Sequence, residues 1–140
     1  MILLDTNVLI YADDHTSPFH SWSRQLIAET ASVEEAVANP ITIAELCVGE
    51  DNPSQVIARL QTWGILLADL PVSTAIICAQ SYRQYRNRRT SESGKPSPVT
   101  PLPDFFIGAH AAVMGWDIAT ADAGRFKTYF PDVILHLPEP

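Results

Sequence analysis

Four carboxylates, Asp5, Glu45, Asp104 and Asp122, stand where their chemistry could be joined. Asp5 closes the apolar run Ile2-Leu3-Leu4, which reads as a buried parallel strand delivering the acid to the sheet's carboxyl edge, where open α/β folds bind ligands. Glu45 lies in the helix after the second strand, and Asp122 follows the fourth. Asp104 opens the helix before the fourth strand; from sequence it reaches the same edge only if the stretch from Thr90 to Pro103 climbs back to it. Crowded carboxylates raise one another's pKa, so a stable arrangement calls for a cation. Oxygen donors of this kind suit Mg²⁺ or Mn²⁺. Such a site gathers phosphate oxygens, acidifies a bound water and steadies a leaving oxygen, so phosphodiester hydrolysis is its natural reaction. Each acid alone has an ordinary reading: Asp5, Asp104 and Asp122 as helix caps, Glu45 as a solvated helix residue. Their joint placement favours the metal site.

The elements that must position these acids alternate. Strands are predicted at Ile2 to Asp5, Ala36 to Ala38, Ile65 to Leu70, Trp116 to Thr120 and Val133 to Leu137. Between them lie helical stretches: Asn7 to Tyr11, Phe19 to Thr30, Thr42 to Val48, Pro53 to Trp63 with Pro in its first turn, Ser73 to about Arg89, Asp104 to Met114, and a last one from Asp122 to Tyr129. Gly64 and Gly115 mark helix ends, and the Pro- and Ser-rich stretch Thr90 to Pro103 reads as a loop. Strands alternating with helices imply an α/β fold with a parallel sheet covered on both faces.

With 140 residues, one domain spanning 1–140 is expected, burying about two-thirds of its unfolded surface. The chain is 46% apolar, yet its apolar runs are too short and interrupted for a membrane span or a secretory leader, which predicts a cytoplasmic protein. Cys47 and Cys78 have no ligand spacing and read as small hydrophobes. The net charge of −7 argues against broad coating by nucleic acid but leaves a nuclease open, since clustered acids can hold cations that bring the phosphate.

The same residues carry a family resemblance. ILLDTNVLI at the N-terminus, TIAEL around Glu45, PLPDFFIGAHA around Asp104 and ATADAGRF around Asp122 resemble the four signature stretches of the PIN domain in their usual order, most nearly those of bacterial toxins of the VapC type. The resemblance covers almost the whole chain. It implies a PIN-like doubly wound parallel five-stranded sheet and a metal-dependent endoribonuclease, with Asp5, Glu45, Asp104 and Asp122 as catalytic, Mg²⁺- or Mn²⁺-binding acids. Thr6, Asn7 and Thr120 match the family's small polar positions, which orient the acids or a metal-bound water. It further implies an RNA substrate, a small antitoxin whose basic or apolar tail enters the acidic groove, and a homodimer. Two departures stand out: Ala121, where a larger polar or basic residue is often found, and the long Pro- and Ser-rich run before Asp104.

Other residues divide more evenly. Arg125, three positions after Asp122, could contact a scissile phosphate or pair with a neighbouring acid. Arg83, Arg86, Arg88, Arg89 and Lys95 hold five of the nine Lys and Arg residues; they read either as a solvated helix end or as RNA contacts, with Arg86, Arg88 and Arg89 the candidates. His15 and His20 lack ligand spacing and read as surface residues, and His110, about 120° round its helix from Asp104, reads as packed. Asp13, Asp14 and Asp117 fit no motif, Asp117 being the one to check against the metal shell. Among rival functions, a haloacid-dehalogenase-type phosphotransferase wants a second Asp where Asn7 stands. A receiver-like signalling domain wants a Lys after the last strand, and none follows Pro131. A non-catalytic acidic-pocket module and a housekeeping RNA-processing nuclease complete the alternatives.

Overall fold

Three consecutive apolar residues that are all buried belong in the middle of a sheet covered on both faces, and β1 (Ile2–Leu4) is that strand. The computed structural model describes residues 1–93 and 102–140. After β1 come α1 (Thr6–Asp13), α2 (His20–Ser32), β2 (Ala36–Ala38), α3 (Pro40–Val48), α4 (Ser54–Thr62), β3 (Leu66–Leu67), α5 (Thr74–Ser93), α6 (Leu102–Met114), β4 (Asp117–Ala119), α7 (Gly124–Tyr129) and β5 (Leu135–His136). Among the described residues the five strands form one parallel sheet in the order β3-β2-β1-β4-β5, which is the doubly wound α/β architecture expected.

Successive strand residues serve opposite faces. Ile2, Leu4, Ala36 and Ala38 pack into a core with α1, α2 and α4, whereas Leu3, Val37 and Ile118 pack with α5, α6 and α7. The register Leu3↔Val37 and Leu3↔Ile118 lines these side chains up across the sheet, and full burial of a residue such as Leu3 stabilises by about 2 kcal/mol. From β1 the chain steps outward to β2 and β3, then returns to the other side of β1 for β4 and β5. That reversal opens a crevice at the carboxyl ends of β1 and β4.

Several boundaries differ from the sequence expectation. β3 and β5 shrink to two residues each, because they are the edges of the sheet and have one neighbour apiece; Leu66 and Leu67 are exposed while Ile65 is buried. α5 continues through Thr90 to Ser93 rather than ending at Arg89, since no helix breaker precedes Gly94. α6 starts at Leu102, so the stretch from Thr90 to Pro103 is helical at both ends, and Pro103 sits in a first turn where its missing N–H costs nothing. Residues 94–101, Lys95 among them, lie outside the described residues.

No upward climb of that connection is needed to place Asp104. A helix leading into a parallel strand starts at the carboxyl edge, and α5 already ends there: Thr90 and Leu102 line one groove, while Tyr82 and Tyr85 meet Phe105. α5 and α6 are therefore antiparallel neighbours. Gly64 (φ +79°) and Gly115 (φ +69°) take the left-handed conformation that stops α4 and α6. No helix among the described residues is long and apolar enough to cross a membrane.

Candidate functional site

Asp5 leaves β1 with its backbone N–H bonded to Ala119 O of β4 at 2.9 Å, which ties the acid to the crevice between the two strands. Its extended backbone makes it the N-cap of α1, and Oδ1 accepts from Thr6 N at 2.8 Å. Oδ2 accepts from Thr120 Oγ1 at 2.8 Å and from Asn7 Nδ2 at 3.4 Å. The ordinary reading of Asp5 as a cap is thus true of one oxygen, while the other belongs to a polar network. Thr120 Oγ1 in turn accepts from Asp122 N at 3.0 Å, and Asn7 Oδ1 accepts from Ala121 N at 3.2 Å. The loop after β4 is held by its backbone, so a side chain as small as Ala121 suffices there.

Asp5 is only 6% exposed. Burial pushes its carboxyl up from the ordinary 3.8 to about 6, with the charges of Asp104 and Glu45 adding to the rise and the hydrogen bonds from Thr120 and Thr6 opposing it. Glu45 comes from α3, whose start is fixed by Asn39: its side chain accepts from Thr42 N at 3.1 Å, with Pro40 at the first helical position. Buried Thr42 donates to Leu4 O at 3.3 Å, docking α3 on the end of β1, and Thr6 Oγ1 donates to Glu45 Oε1 at 2.8 Å. Asp104 lies in the first turn of α6, and Asp122 precedes α7 with Oδ1 accepting from Gly124 N at 3.3 Å.

All four acids line one cleft of about 230 Å³, together with Thr6, Asn7, Ile10, Arg125 and Phe126. Arg125 pairs with a neighbouring acid, its Nη1 lying 2.6 Å from Asp104 Oδ2. Burial alone would lower its pKa, but Asp104 and the Tyr85 hydroxyl together raise it. The four carboxylates offer only oxygen donors, the set a hard divalent cation takes. Among the described residues no three His, Cys, Asp or Glu side chains are gathered closely enough to hold an ion as they stand. Thr6 holds Glu45 and Arg125 holds Asp104, so the donor chemistry fits a cation while the cage is open.

The family model for the PIN domain matches residues 2–130. The chain belongs to the PIN domain family. No curated protein matches it significantly. Among solved structures this PIN domain is similar to FitAcB from Neisseria gonorrhoeae, at 28% identity over 96% of each chain with a TM-score of 0.60. It is also similar to DNA-bound VapBC from Salmonella typhimurium, at 20% identity over 97% of this chain and 98% of that one with a TM-score of 0.66. A toxin-antitoxin complex from Klebsiella pneumoniae matches at 21% identity over 96% of each chain, TM-score 0.57. At such identities the last two establish the likeness of fold.

The remaining candidates fall outside the cleft of the PIN domain. Asp117 is at the amino end of β4, in register with Ile2, and pairs with His136 Nε2 at 2.8 Å, at the opposite end of the strand from the four acids. Asp14 accepts from Thr16, and Asp13 meets Arg59 at 3.4 Å. His20 Nδ1 lies 2.9 Å from Tyr11 O with the His15 ring beside it. His110 is fully buried; its Nδ1 lies 3.1 Å from Asn39 Nδ2, and burial lowers its pKa. Arg86 lines a separate groove with Arg83, Asn87 and Thr90, and Arg88 and Arg89 follow on the exposed end of α5. Sequence reasoning passed over Thr42 and the double duty of Asn39, although Asn39-Pro40 before a helix was the signal for a cap. Cys78 is buried in the same core as Val37, and Cys47 packs against the opposite core.

Proposed function

We propose that this PIN domain is a divalent-metal-dependent endoribonuclease that hydrolyses RNA phosphodiester bonds and acts as the toxin of a toxin-antitoxin pair. One observation carries the reading: Asp5, Glu45, Asp104 and Asp122, from four separate stretches of chain, line a single cleft at the carboxyl ends of β1 and β4. A Mg²⁺ or Mn²⁺ ion bound by these acids would supply positive charge for the phosphate and acidify the attacking water. The chain's own residues fix the acids beforehand. Thr6 N, Thr120 and Asn7 hold both oxygens of Asp5, and the Thr6 hydroxyl orients Glu45, so neither must reorganise when substrate arrives. The membership of the PIN family and the likeness to VapBC and a toxin-antitoxin complex support the toxin role, as does a negatively charged cleft suited to the basic tail of a small antitoxin. A homodimer in the cytoplasm is part of the same proposal.

The test is cleavage of RNA by the purified chain with Mg²⁺, Mn²⁺ or chelator, beside Asp5→Asn. Cleavage that survives chelation, with the variant as active as the parent, would sink the proposal. For the biology, the DNA beside the gene should hold a short reading frame, and expression of this chain alone should arrest growth. Harmless expression of an active enzyme with no adjacent frame would favour a housekeeping RNA-processing nuclease.

A further inference from the structure

Resting on the reading of the cleft as a cation site, we infer that Arg125 is its built-in counter-ion: the guanidinium pairs with Asp104, and a divalent ion binds only as Asp104 exchanges that partner for it. The pairing distance of 2.6 Å is that of a charge-assisted hydrogen bond. Both partners are mounted on one aromatic cluster. The guanidinium carbon stands 5.8 Å from the centre of the Tyr85 ring, and Tyr85 packs at 5.3 Å against Phe105, the residue after Asp104. Tyr129, on the same helix as Arg125, meets both Phe105 and Tyr85. α5, α6 and α7 thus converge on this ion pair.

Charge bookkeeping points the same way. Four carboxylates line the cleft, and among the described residues Arg125 is the basic side chain that lines it. Asp5 and Glu45 are satisfied by neutral donors, which a cation leaves in place, but Asp104 is satisfied by a positive charge, which a cation must displace. The displacement is easy because the pair is not sealed: the two side chains are 40% and 33% exposed. A half-exposed pair of this kind is worth a fraction of what a buried one is, so a modest concentration of divalent ion can open it. The released guanidinium remains at the rim, beside the position of a phosphate drawn to the cation.

The test is calorimetric titration of Mn²⁺ into the parent, Arg125→Gln and, as a control for long-range charge, Lys127→Gln, which alters an exposed residue of the same helix outside the cleft. Arg125→Gln should bind Mn²⁺ roughly three- to fivefold more tightly, the upper worth of a half-exposed pair. Lys127→Gln should stay within about twofold of the parent. The melting temperature supplies a second reading: Arg125→Gln should melt lower than the parent in chelator and regain the difference in Mn²⁺. Should Arg125→Gln fail to fold, Arg125→Lys keeps the charge but loses the planar fork, and should shift the affinity in the same direction by less. Equal affinity of parent and Arg125 variants, or an equal gain with Lys127→Gln, overturns the counter-ion role and leaves the cation site standing. Absence of Mn²⁺ binding in every protein overturns the cation site itself and the counter-ion with it.

Discussion

At Asp5 a helix cap, a strand end and a titrating group coincide, and each makes its own demand on a substitution. Asn retains the shape and can still accept from Thr6 N, so Asp5→Asn should fold while losing a charge that the proposed cation would need. A loss of at least a hundredfold in RNA cleavage, about 3 kcal/mol of barrier, is expected in single-turnover assays. The raised pKa has a sign that can be checked. In chelator the folded protein keeps the Asp5 proton until about pH 6, whereas the unfolded chain loses it near 3.8. Between those values the native state binds more protons, so stability falls as pH rises through the window, by up to about 3 kcal/mol for a shift of this size. Urea melts from pH 4 to 7 should show that decline in the parent and a flatter profile in Asp5→Asn; saturating Mn²⁺ should flatten the parent's. Parallel profiles would mean that Asp5 carries no excess proton.

Two contacts between elements test how the helices hold the cleft. Gly108 lies in α6 where a Cβ would come within 2.3 Å of the Phe130 ring, so the helix reaches its depth only because no side chain is there. Gly108→Ala gains helix propensity yet overpacks that contact, and a net loss of about 1 to 3 kcal/mol is expected from denaturant melts. Asn39 links α3 to α6, since its Oδ1 caps α3 through Thr42 N while its Nδ2 faces His110 Nδ1. Asn39→Ala should cost about 2 kcal/mol, one part for the cap and one for a buried ring nitrogen left alone, and His110→Phe should recover a portion of it. Additive losses in the double variant would show that the two residues do not interact.

Across the whole molecule, the net charge of −7 conceals an uneven distribution. Four of the acids gather in the cleft, while Arg83, Arg86, Arg88 and Arg89 lie along α5, whose end adjoins the start of the helix carrying Asp104. If the cleft takes RNA as proposed, that helix is placed to take up the flanking phosphates. Replacing Arg86, Arg88 and Arg89 together by Ala should weaken RNA binding irrespective of sequence. It should also flatten the plot of log affinity against log salt by about two units, each phosphate contact on single strands contributing roughly 0.7. The titration is best made with Asp5→Asn and Ca²⁺ so that RNA stays intact, and an unchanged slope would assign the arginines to a solvated helix end.

What could be read from the residues alone was whatever depends on local pattern. The run Ile2 to Leu4 demanded a strand buried on both faces, the glycines after α4 and α6 demanded helix ends, and Asp5, Glu45 and Asp122 demanded a common edge, to which Asp104 was added only by the family resemblance. Strand lengths at the sheet edges escaped, because pairing and not propensity sets them, and so did the helical reach of the stretch around Thr90 and Leu102. The partners of the acids were decided by tertiary structure alone. Nothing in the chain's order says that Thr120 and Asn7 share Oδ2 of Asp5, that Thr6 reaches Glu45, or that Arg125 turns from adjacent Asp122 to distant Asp104. Those choices follow from how β1 and β4 lie side by side and from how Tyr85 and Phe105 pack under the guanidinium, contacts between residues far apart in sequence.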